Sequence, residues 1–196
     1  MDGPSPFYSP DELRAIGCSA VGQHVQVSRH VHFYGFEGKL GHRVRIDDFT
    51  VLKGCIEIGS YVHISSFCLL GGTAGRIVIG DFSTTSAYVG IYTASDDYSS
   101  PLLTNSVVPA DLKRGVEGDV RIGCSVVIGA HCVVLPNAVI EDYATVGALC
   151  IVNGVFKRGS VSVTSAGRPH EIGRRDIRRI QLAEVEALRR LEEKTP

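Results

Sequence analysis

An excess of charge of one sign is missing from this sequence. The chain of 196 residues has 20 basic and 21 acidic side chains, which gives a formal net charge of −1. A balanced composition provides no overall electrostatic attraction to nucleic acid or to an anionic membrane. We therefore expect no nucleic-acid partner.

Long hydrophobic runs are missing as well. Residues 1–10 contain neither the basic region nor the apolar region of a secretory signal. No stretch approaches the roughly eighteen uninterrupted apolar residues that a membrane helix requires. We expect a cytoplasmic protein without membrane insertion. The composition, 44% hydrophobic and 21% charged, is that of one folded domain and not of a disordered chain.

Paired cysteines are the third absence. None of the six cysteines forms a Cys-x-x-Cys pair, which argues against a zinc knuckle or a thioredoxin-like site. We expect no metal and predict that Cys68, Cys132 and Cys150 are reduced residues that pack in a core.

A period of six residues is the strongest feature that is present. Neither a helix nor a strand alternation by itself predicts this spacing, so the period indicates a repeat architecture. A second, smaller residue stands two positions before most of these residues, and both face inward because residues two apart on a strand share a face. The large residues are Leu40, Ile46, Leu52, Ile58, Ile64, Leu70, Ile122, Ile128, Val134, Ile140, Val146 and Val152.

These repeats predict an all-β fold, a parallel β-helix with three short sides and about six coils of eighteen residues. Glycine or an acidic residue directly follows many of the large residues, as in Gly41 and Asp47, and we expect the corners there.

The breaks and ends of the period divide the chain. Residues 92–119 interrupt the β-helix domain of residues 21–169 and are predicted to leave it as an extruded loop, which at this length is usually functional. A capping box that starts at Ser9 predicts a short helix within residues 1–20 that covers the open end. Residues 170–196 have apolar residues at helical spacing and predict a C-terminal helix.

The segment from Ile122 to Ala148, with its Ile-Gly-x-x-x-Val-Ile-Gly-Ala-His core, resembles the signature of hexapeptide-repeat acyltransferases. The resemblance covers about residues 40–169. Its order of parts is similar to the galactoside and maltose O-acetyltransferase branch, which includes sugar acetyltransferases of surface-polysaccharide pathways. The resemblance implies a left-handed β-helix, a homotrimer and acetyl-CoA bound between neighbouring prisms. It also implies a sugar acceptor, such as a nucleotide-linked deoxyamino sugar, that is acylated on a hydroxyl or an amino group.

Acyl transfer requires a base for the acceptor and a donor group for the thioester oxyanion. The resembling branch carries its catalytic histidine in the long loop, where this chain has Ser95 to Tyr98 and no histidine. The candidates for catalysis are therefore His63, which should point outward, and the loop residues Asp96 and Asp97. Ser65 and Tyr98 are candidates for binding the acceptor. An ordinary surface histidine, loop turn and corner serine remain the alternatives.

The resemblance also implies a cofactor surface. Small residues of the last coils would let the pantetheine arm pass close to the backbone, and later basic and terminal residues would border the phosphates and adenine. The candidates are Gly129, Ala130, Gly147, Ala148, Lys157, Arg158, Ala166, Arg168 and Pro169.

Two other functions remain open. A zinc lyase of the gamma-class carbonic anhydrase kind needs three converging histidines, whereas His63 and His131 are predicted on different sides of the prism. A non-catalytic β-helix scaffold would explain the missing loop histidine. The long loop and the retained cofactor-side signature favour the acyltransferase.

Overall fold

The chain winds into a prism with three flat sides in a computed structural model, which describes residues 5–105, 107–165 and 168–192. The elements in chain order are α1 (Pro10–Ile16), β1 (Cys18–Val21), β2 (Gln26–Val27), β3 (His32–Leu40), β4 (Arg45–Ile46), β5 (Val51–Ile58), β6 (His63–Ile64), β7 (Leu69–Ile79), β8 (Thr84–Thr85), β9 (Gly90–Tyr92), β10 (Ala94–Asp96), a 3₁₀ helix (Ala110–Leu112), β11 (Gly115–Glu117), β12 (Val120–Ile122), β13 (Val127–Ile128), β14 (Val133–Val134), β15 (Val139–Ile140), β16 (Thr145–Val146), β17 (Ile151–Val152), β18 (Val155–Phe156), β19 (Ser160–Ser165), β20 (Arg168–Arg174) and α2 (Ile177–Glu192).

Each side is a parallel sheet. Side A contains β1, the ends of β3, β5 and β7, then β12, β15 and β18, whereas side B contains β2, β4, β6, β8, β13, β16 and β19. Side C contains the starts of β3, β5 and β7, then β9, β14 and β17. Residues eighteen apart pair between uninterrupted coils, as Ile122 does with Ile140. The predicted left-handed parallel β-helix is confirmed, and sides A and B continue beyond the sixth coil.

The interior is filled by the residues that the six-residue period selects. None of the twelve large residues exposes more than 3% of its surface, and the smaller inward residues are buried to the same degree. Cys68, Cys132 and Cys150 belong to this core, as predicted, and all six cysteines are free. Burial raises the pKa of Cys132 to about 11, so its thiol is protonated at neutral pH.

The corners do not lie where the glycines predicted them. After nine of the twelve large residues the chain bends, and the third residue has a left-handed φ although none of these nine is glycine, as in Phe49 (62°) and Tyr61 (61°). The glycine that directly follows a large residue is required for a different reason. A Cβ on Gly129 would lie 2.4 Å from the backbone nitrogen of Ala148 in the next coil. Close stacking of coils, and not bending, therefore requires glycine there.

An aromatic ladder marks the corner between sides B and C, called corner BC. The ladder contains His30, Phe49, Phe67, Tyr88 and His131. The centroids of its stacked rings are 5.0 Å apart between Phe49 and Phe67, 4.9 Å between Phe67 and Tyr88, and 4.8 Å between Tyr88 and His131. A left-handed conformation costs an L-residue about 1–2 kcal/mol, and ring stacking partly offsets this cost by about 0.5–1.5 kcal/mol per pair.

Helices close or flank the prism. The predicted capping box of α1 is present, since the Ser9 backbone N–H donates to Glu12 over 2.7 Å and the Glu12 N–H donates to Ser9 Oγ over 3.3 Å. The C-terminal helix spans Ile177–Glu192 and is preceded by β20, a strand that the sequence did not predict. Among the described residues β20 pairs only with β19, in antiparallel orientation, and its largely polar, exposed sequence lacks the alternation typical of strands. Neither α1 nor α2, as described, is long and apolar enough to span a membrane.

The extruded loop leaves between sides C and A. Its stem is the antiparallel pair β10 and β11. The base of this stem lies against the glycine-rich segment of β7, because a Cβ on Gly72 would lie 2.3 Å from Thr93 Oγ1 and one on Gly75 would lie 2.7 Å from the carbonyl oxygen of Gly118. These glycines therefore leave room for the loop.

Replacing Gly129 with alanine should destabilise the protein, because the new Cβ would collide with the backbone of the next coil. Overpacking of this kind typically costs about 1–3 kcal/mol. Gly173→Ala is the matched control, since a Cβ there meets nothing within 4 Å. Denaturant midpoints measured at one protein concentration should fall for the first variant only. Equal midpoints for both variants would contradict the stacking argument.

Candidate functional site

Side B presents two outward rows that run along the prism axis. The first row contains Gln26, Arg45, His63, Thr84, Val127, Thr145 and Val161. The second row contains Ser28, Asp47, Ser65, Ser86, Gly129 and Gly147, each joined to the next coil by its backbone N–H. Coils one to four supply polar side chains, which form the polar half of side B. Later coils supply small or apolar residues apart from Thr145, and these coils form the small-residue half.

His63 lies in the polar half and points outward, as predicted. Its Nε2 is 2.8 Å from Oδ2 of Asp47, and the Nε of Arg45 donates to Oδ1 of the same carboxylate over 2.7 Å. Partial burial of Asp47 opposes ionisation, but the hydrogen bonds from His63 and Arg45 outweigh burial and hold the pKa of Asp47 below its ordinary value. The pairing of Asp47 with His63 was not predicted, because Asp47 was expected only at a corner of the prism.

Two serines follow His63 along the second row. Ser65 is half-buried, and its carbonyl accepts a hydrogen bond from Thr50 Oγ1 over 3.1 Å. Ser86 occupies the same position one coil later and is equally half-buried. Ser86 was not among the predicted site residues, although its place directly after the inward Thr85 matches that of Ser65 after Ile64.

The two loop aspartates differ in their surroundings. Asp96 is exposed, and its carboxylate has no hydrogen bond or ion pair among the described residues. Asp97 accepts hydrogen bonds from Ser99 N and Oγ over 3.0 and 2.6 Å, and these bonds hold its pKa below the ordinary value. Asp97 therefore orders the turn, whereas Asp96 is available to a ligand.

The loop also forms an open cavity of about 470 Å³ between β10, β11 and the 3₁₀ helix. Asp96, Lys113 and Arg114 are among the residues that line it. Tyr98 lies beyond the stem and is 86% exposed. The loop leaves from β9 on side C, whereas His63 and Ser65 lie on side B. One chain therefore does not bring its own loop candidates together with these two residues.

The predicted cofactor residues lie in two places. Gly129 directly follows β13 and Gly147 directly follows β16 on side B. Ala130 and Ala148 are the next residues, at corner BC. Arg168 and Pro169 in β20 pair with Ser165 and Thr164, at the end of side B beyond these alanines. Ala166 lies outside the described residues.

Lys157 and Arg158 lie at the corner between sides A and B, apart from the glycines and alanines of side B and corner BC, although Lys157 shares an open cavity with Pro169. The guanidinium of Arg158 lies 5.2 Å from the ring centroid of Tyr143, and its backbone N–H donates to Glu141. Arg158 is thus engaged in packing, while Lys157 is exposed and lines an open cavity with Arg174 and His170.

Comparison with known proteins identifies the fold and the chemistry. Residues 119–154 match the family described as bacterial transferase hexapeptide (six repeats). The chain is 33% identical over 178 residues to the dTDP-4-amino-4,6-dideoxy-D-glucose acyltransferase of Escherichia coli, and the match covers 89% of this chain and 91% of the relative. The chain belongs to the hexapeptide-repeat acyltransferases.

Solved structures agree with this assignment. AntD, an N-acyltransferase from Bacillus cereus in complex with dTDP and 3-hydroxybutyryl-CoA, superposes with a TM-score of 0.86 and 33% identity, covering 96% of this chain and 99% of AntD. A serine-to-cysteine variant of AntD was crystallised with dTDP-4-amino-4,6-dideoxyglucose and coenzyme A, and it superposes with a TM-score of 0.84 and 31% identity over 94% of this chain and all of that one.

A maltose O-acetyltransferase from Clostridium difficile shares the fold, with a TM-score of 0.51 and 20% identity over 84% of this chain and 73% of that enzyme. The relatives above 30% identity confirm the predicted acyltransferase family, in preference to the zinc lyase and the scaffold, and this more distant structure supports the fold alone. Among the residues with described positions, no three His, Cys, Asp or Glu side chains are grouped so that they could hold a metal ion.

Proposed function

We propose that this acyltransferase transfers an acyl group, acetyl in the simplest case, from acyl-CoA to the amino group of a nucleotide-linked deoxyamino sugar of the dTDP-4-amino-4,6-dideoxyhexose type. The observation that carries this proposal is the extent of similarity to enzymes named for that substrate. The match covers about nine-tenths of both chains, 89% and 91%, and therefore extends far beyond the repeat that many transferases share.

The two halves of side B support the proposal. The polar half offers His63 and the serines to a sugar nucleotide, and the small-residue half leaves room for a thin pantetheine arm beside Ala130 and Ala148. Because the rows run in line along one side, the amino group of the acceptor and the thioester of the donor would meet near coil four. In the reaction the C–N bond forms, the C–S bond breaks and the CoA thiolate leaves.

A second copy of the chain would complete this site. We propose a homotrimer in which the loop of one subunit reaches side B of its neighbour and supplies Asp96. An apolar surface on corner BC and side C supports this assembly, because exposed apolar patches of this kind mark interaction sites. Its exposed residues include Phe49, Phe67, Leu69, Tyr88, Leu149 and Ile151.

The proposal also includes a cellular role. An enzyme that acylates a nucleotide-linked deoxyamino sugar would act in the cytoplasm and supply a building block for a cell-surface polysaccharide. Acetyl-CoA is the expected donor, and the acceptor is a soluble small molecule.

The direct test is incubation of the purified protein with acetyl-CoA and dTDP-4-amino-4,6-dideoxyglucose. We expect release of free CoA thiol and formation of an N-acetylated sugar nucleotide, detected by mass spectrometry. The matched control is the analogue with a hydroxyl in place of the 4-amino group, which should react far more slowly because it is the weaker nucleophile. Equal turnover of the two acceptors, or turnover of neither, would contradict the proposed function.

Asp96→Asn should lower kcat/KM for the amino sugar by about tenfold to a hundredfold, because a hydrogen bond to a charged group contributes about 1.5–3 kcal/mol. Asp111→Asn is the matched control, since Asp111 is an exposed aspartate of the same loop in the 3₁₀ helix. Steady-state kinetics with varied acceptor would measure both variants. A similar loss in the two variants would show that loop charge in general, and not the Asp96 carboxylate, is responsible.

A further inference from the structure

Three side chains of the polar half of side B form a connected group that the reaction described so far does not require. They are Arg45, Asp47 and His63, which we call the side B triad. We infer that Arg45 and Asp47 orient His63 so that its Nδ1 accepts the proton that the sugar amino group loses during acyl transfer. This inference rests on the proposed function for its substrate, although the arrangement of the three side chains does not.

The hydrogen bonds of Asp47 determine which ring nitrogen is free. Its Oδ1 accepts from Arg45 Nε over 2.7 Å, and its Oδ2 lies 2.8 Å from His63 Nε2. The hydrogen bonds from His63 and Arg45 outweigh partial burial and lower the pKa of Asp47, so the group is a carboxylate at neutral pH and can only accept. His63 Nε2 must therefore carry the proton. In the neutral ring, Nδ1 then has a lone pair and is the available base.

The surroundings of His63 suit this role. Asp47 exposes 22% of its side chain and His63 exposes 43%, so the carboxylate is sheltered while the imidazole remains accessible. The coil before His63 presents Arg45 and Asp47, and the coil after it presents Thr84, which does not titrate. The charge of Arg45 is paired with Asp47 and not directed at the ring.

The position of His63 along the prism is also suitable. Neighbouring strands are about 4.8 Å apart. His63 thus lies about 5 Å below Thr84 and about 10 Å below Val127, which begins the small-residue half. His63, one coil before Thr84 along the prism axis, therefore lies beside the place where the sugar amine would meet the thioester.

In the proposed step one proton passes from the amine to His63, and one electron pair passes to the sulfur of CoA. The amine nitrogen attacks the thioester carbonyl, and the C–N bond forms while the nitrogen gives a proton to His63 Nδ1. Collapse of the tetrahedral intermediate breaks the C–S bond, and the thiolate of CoA leaves with the bonding pair. The imidazolium then returns its proton to the thiolate, so the products are the amide and free CoA thiol.

Asp47→Asn is the central test. The amide oxygen would remain with the Arg45 donor, so the amide N–H would face His63 Nε2 and force the ring proton onto Nδ1. We expect kcat to fall at least a hundredfold, within the range of about 10²–10⁴ that general bases contribute, while KM for the acceptor changes less than threefold. In the double variant Arg45→Ala, Asp47→Asn, the amide is free to turn, and kcat should recover about tenfold.

Asp48→Asn is the matched control, because Asp48 is the next residue and bonds to Ser28 on the preceding coil. Its kcat should stay within twofold of wild type. If Asp47→Asn keeps the wild-type kcat, or if the double variant is no better than Asp47→Asn alone, the inference is wrong.

Two measurements keep the inference testable if Asp47→Asn folds poorly or if the chosen amino sugar is not a substrate. His63→Ala should lose kcat by about 10²–10⁴-fold and regain activity with added imidazole. Nitrogen-15 NMR of the wild type, which needs no substrate, should show the His63 proton on Nε2 and not on Nδ1. A proton on Nδ1 would overturn the inference even if the proposed acyl transfer is correct, whereas failure of the wild type to acylate would count against the proposed function alone.

Discussion

The stacking of each coil on the next, at the spacing of a parallel sheet, is the constraint on which the rest of the molecule depends. Backbone hydrogen bonds join residues of neighbouring coils along all three sides. The inward residues must therefore repeat, which is why large aliphatic residues recur. The same constraint excludes a Cβ at Gly129 and brings the rings of the aromatic ladder to 4.8–5.0 Å from one another between Phe49 and His131.

Stacking also places residues that are one coil apart in the sequence next to each other in space. Arg45 and Asp47 of one coil therefore lie beside His63 of the next coil. Over several coils the outward positions of side B form a continuous surface that changes from polar to small residues. The extruded loop leaves the prism between sides C and A and so does not interrupt side B of its own chain. In the proposed trimer this loop reaches side B of the neighbouring subunit, and the two together form the acceptor pocket.

The sequence predicted the features that depend on burial or on local rules. The inward residues could be predicted because the core requires an aliphatic residue at every sixth position. The helix α1 could be predicted because its capping box is a pattern of neighbouring residues. Features that depend on contacts between coils were missed. The pairing of Asp47 with His63 joins residues sixteen apart, and nothing local to Asp47 distinguishes it from a corner residue. β20 was missed because its polar residues lack a periodic pattern.

The candidate site was only partly predictable for the same reason. His63 was identified as an outward histidine, but its carboxylate partner required the coil register. Asp96 and Asp97 could not be distinguished until the hydrogen bonds from Ser99 to Asp97 were seen. The cofactor candidates were chosen by resemblance, and the structure separates Lys157 and Arg158 from the alanines at corner BC.

Acyl transfer is proposed to occur on side B at a boundary between subunits. A crystal structure with both CoA and dTDP-4-amino-4,6-dideoxyglucose bound is the decisive measurement. We expect pantetheine beside Ala130 and Ala148, the amino group of the sugar near His63 and Ser86, and Asp96 contributed by the neighbouring subunit. Ligands bound on side A, or an acceptor site formed within one chain, would show that the proposed location is wrong.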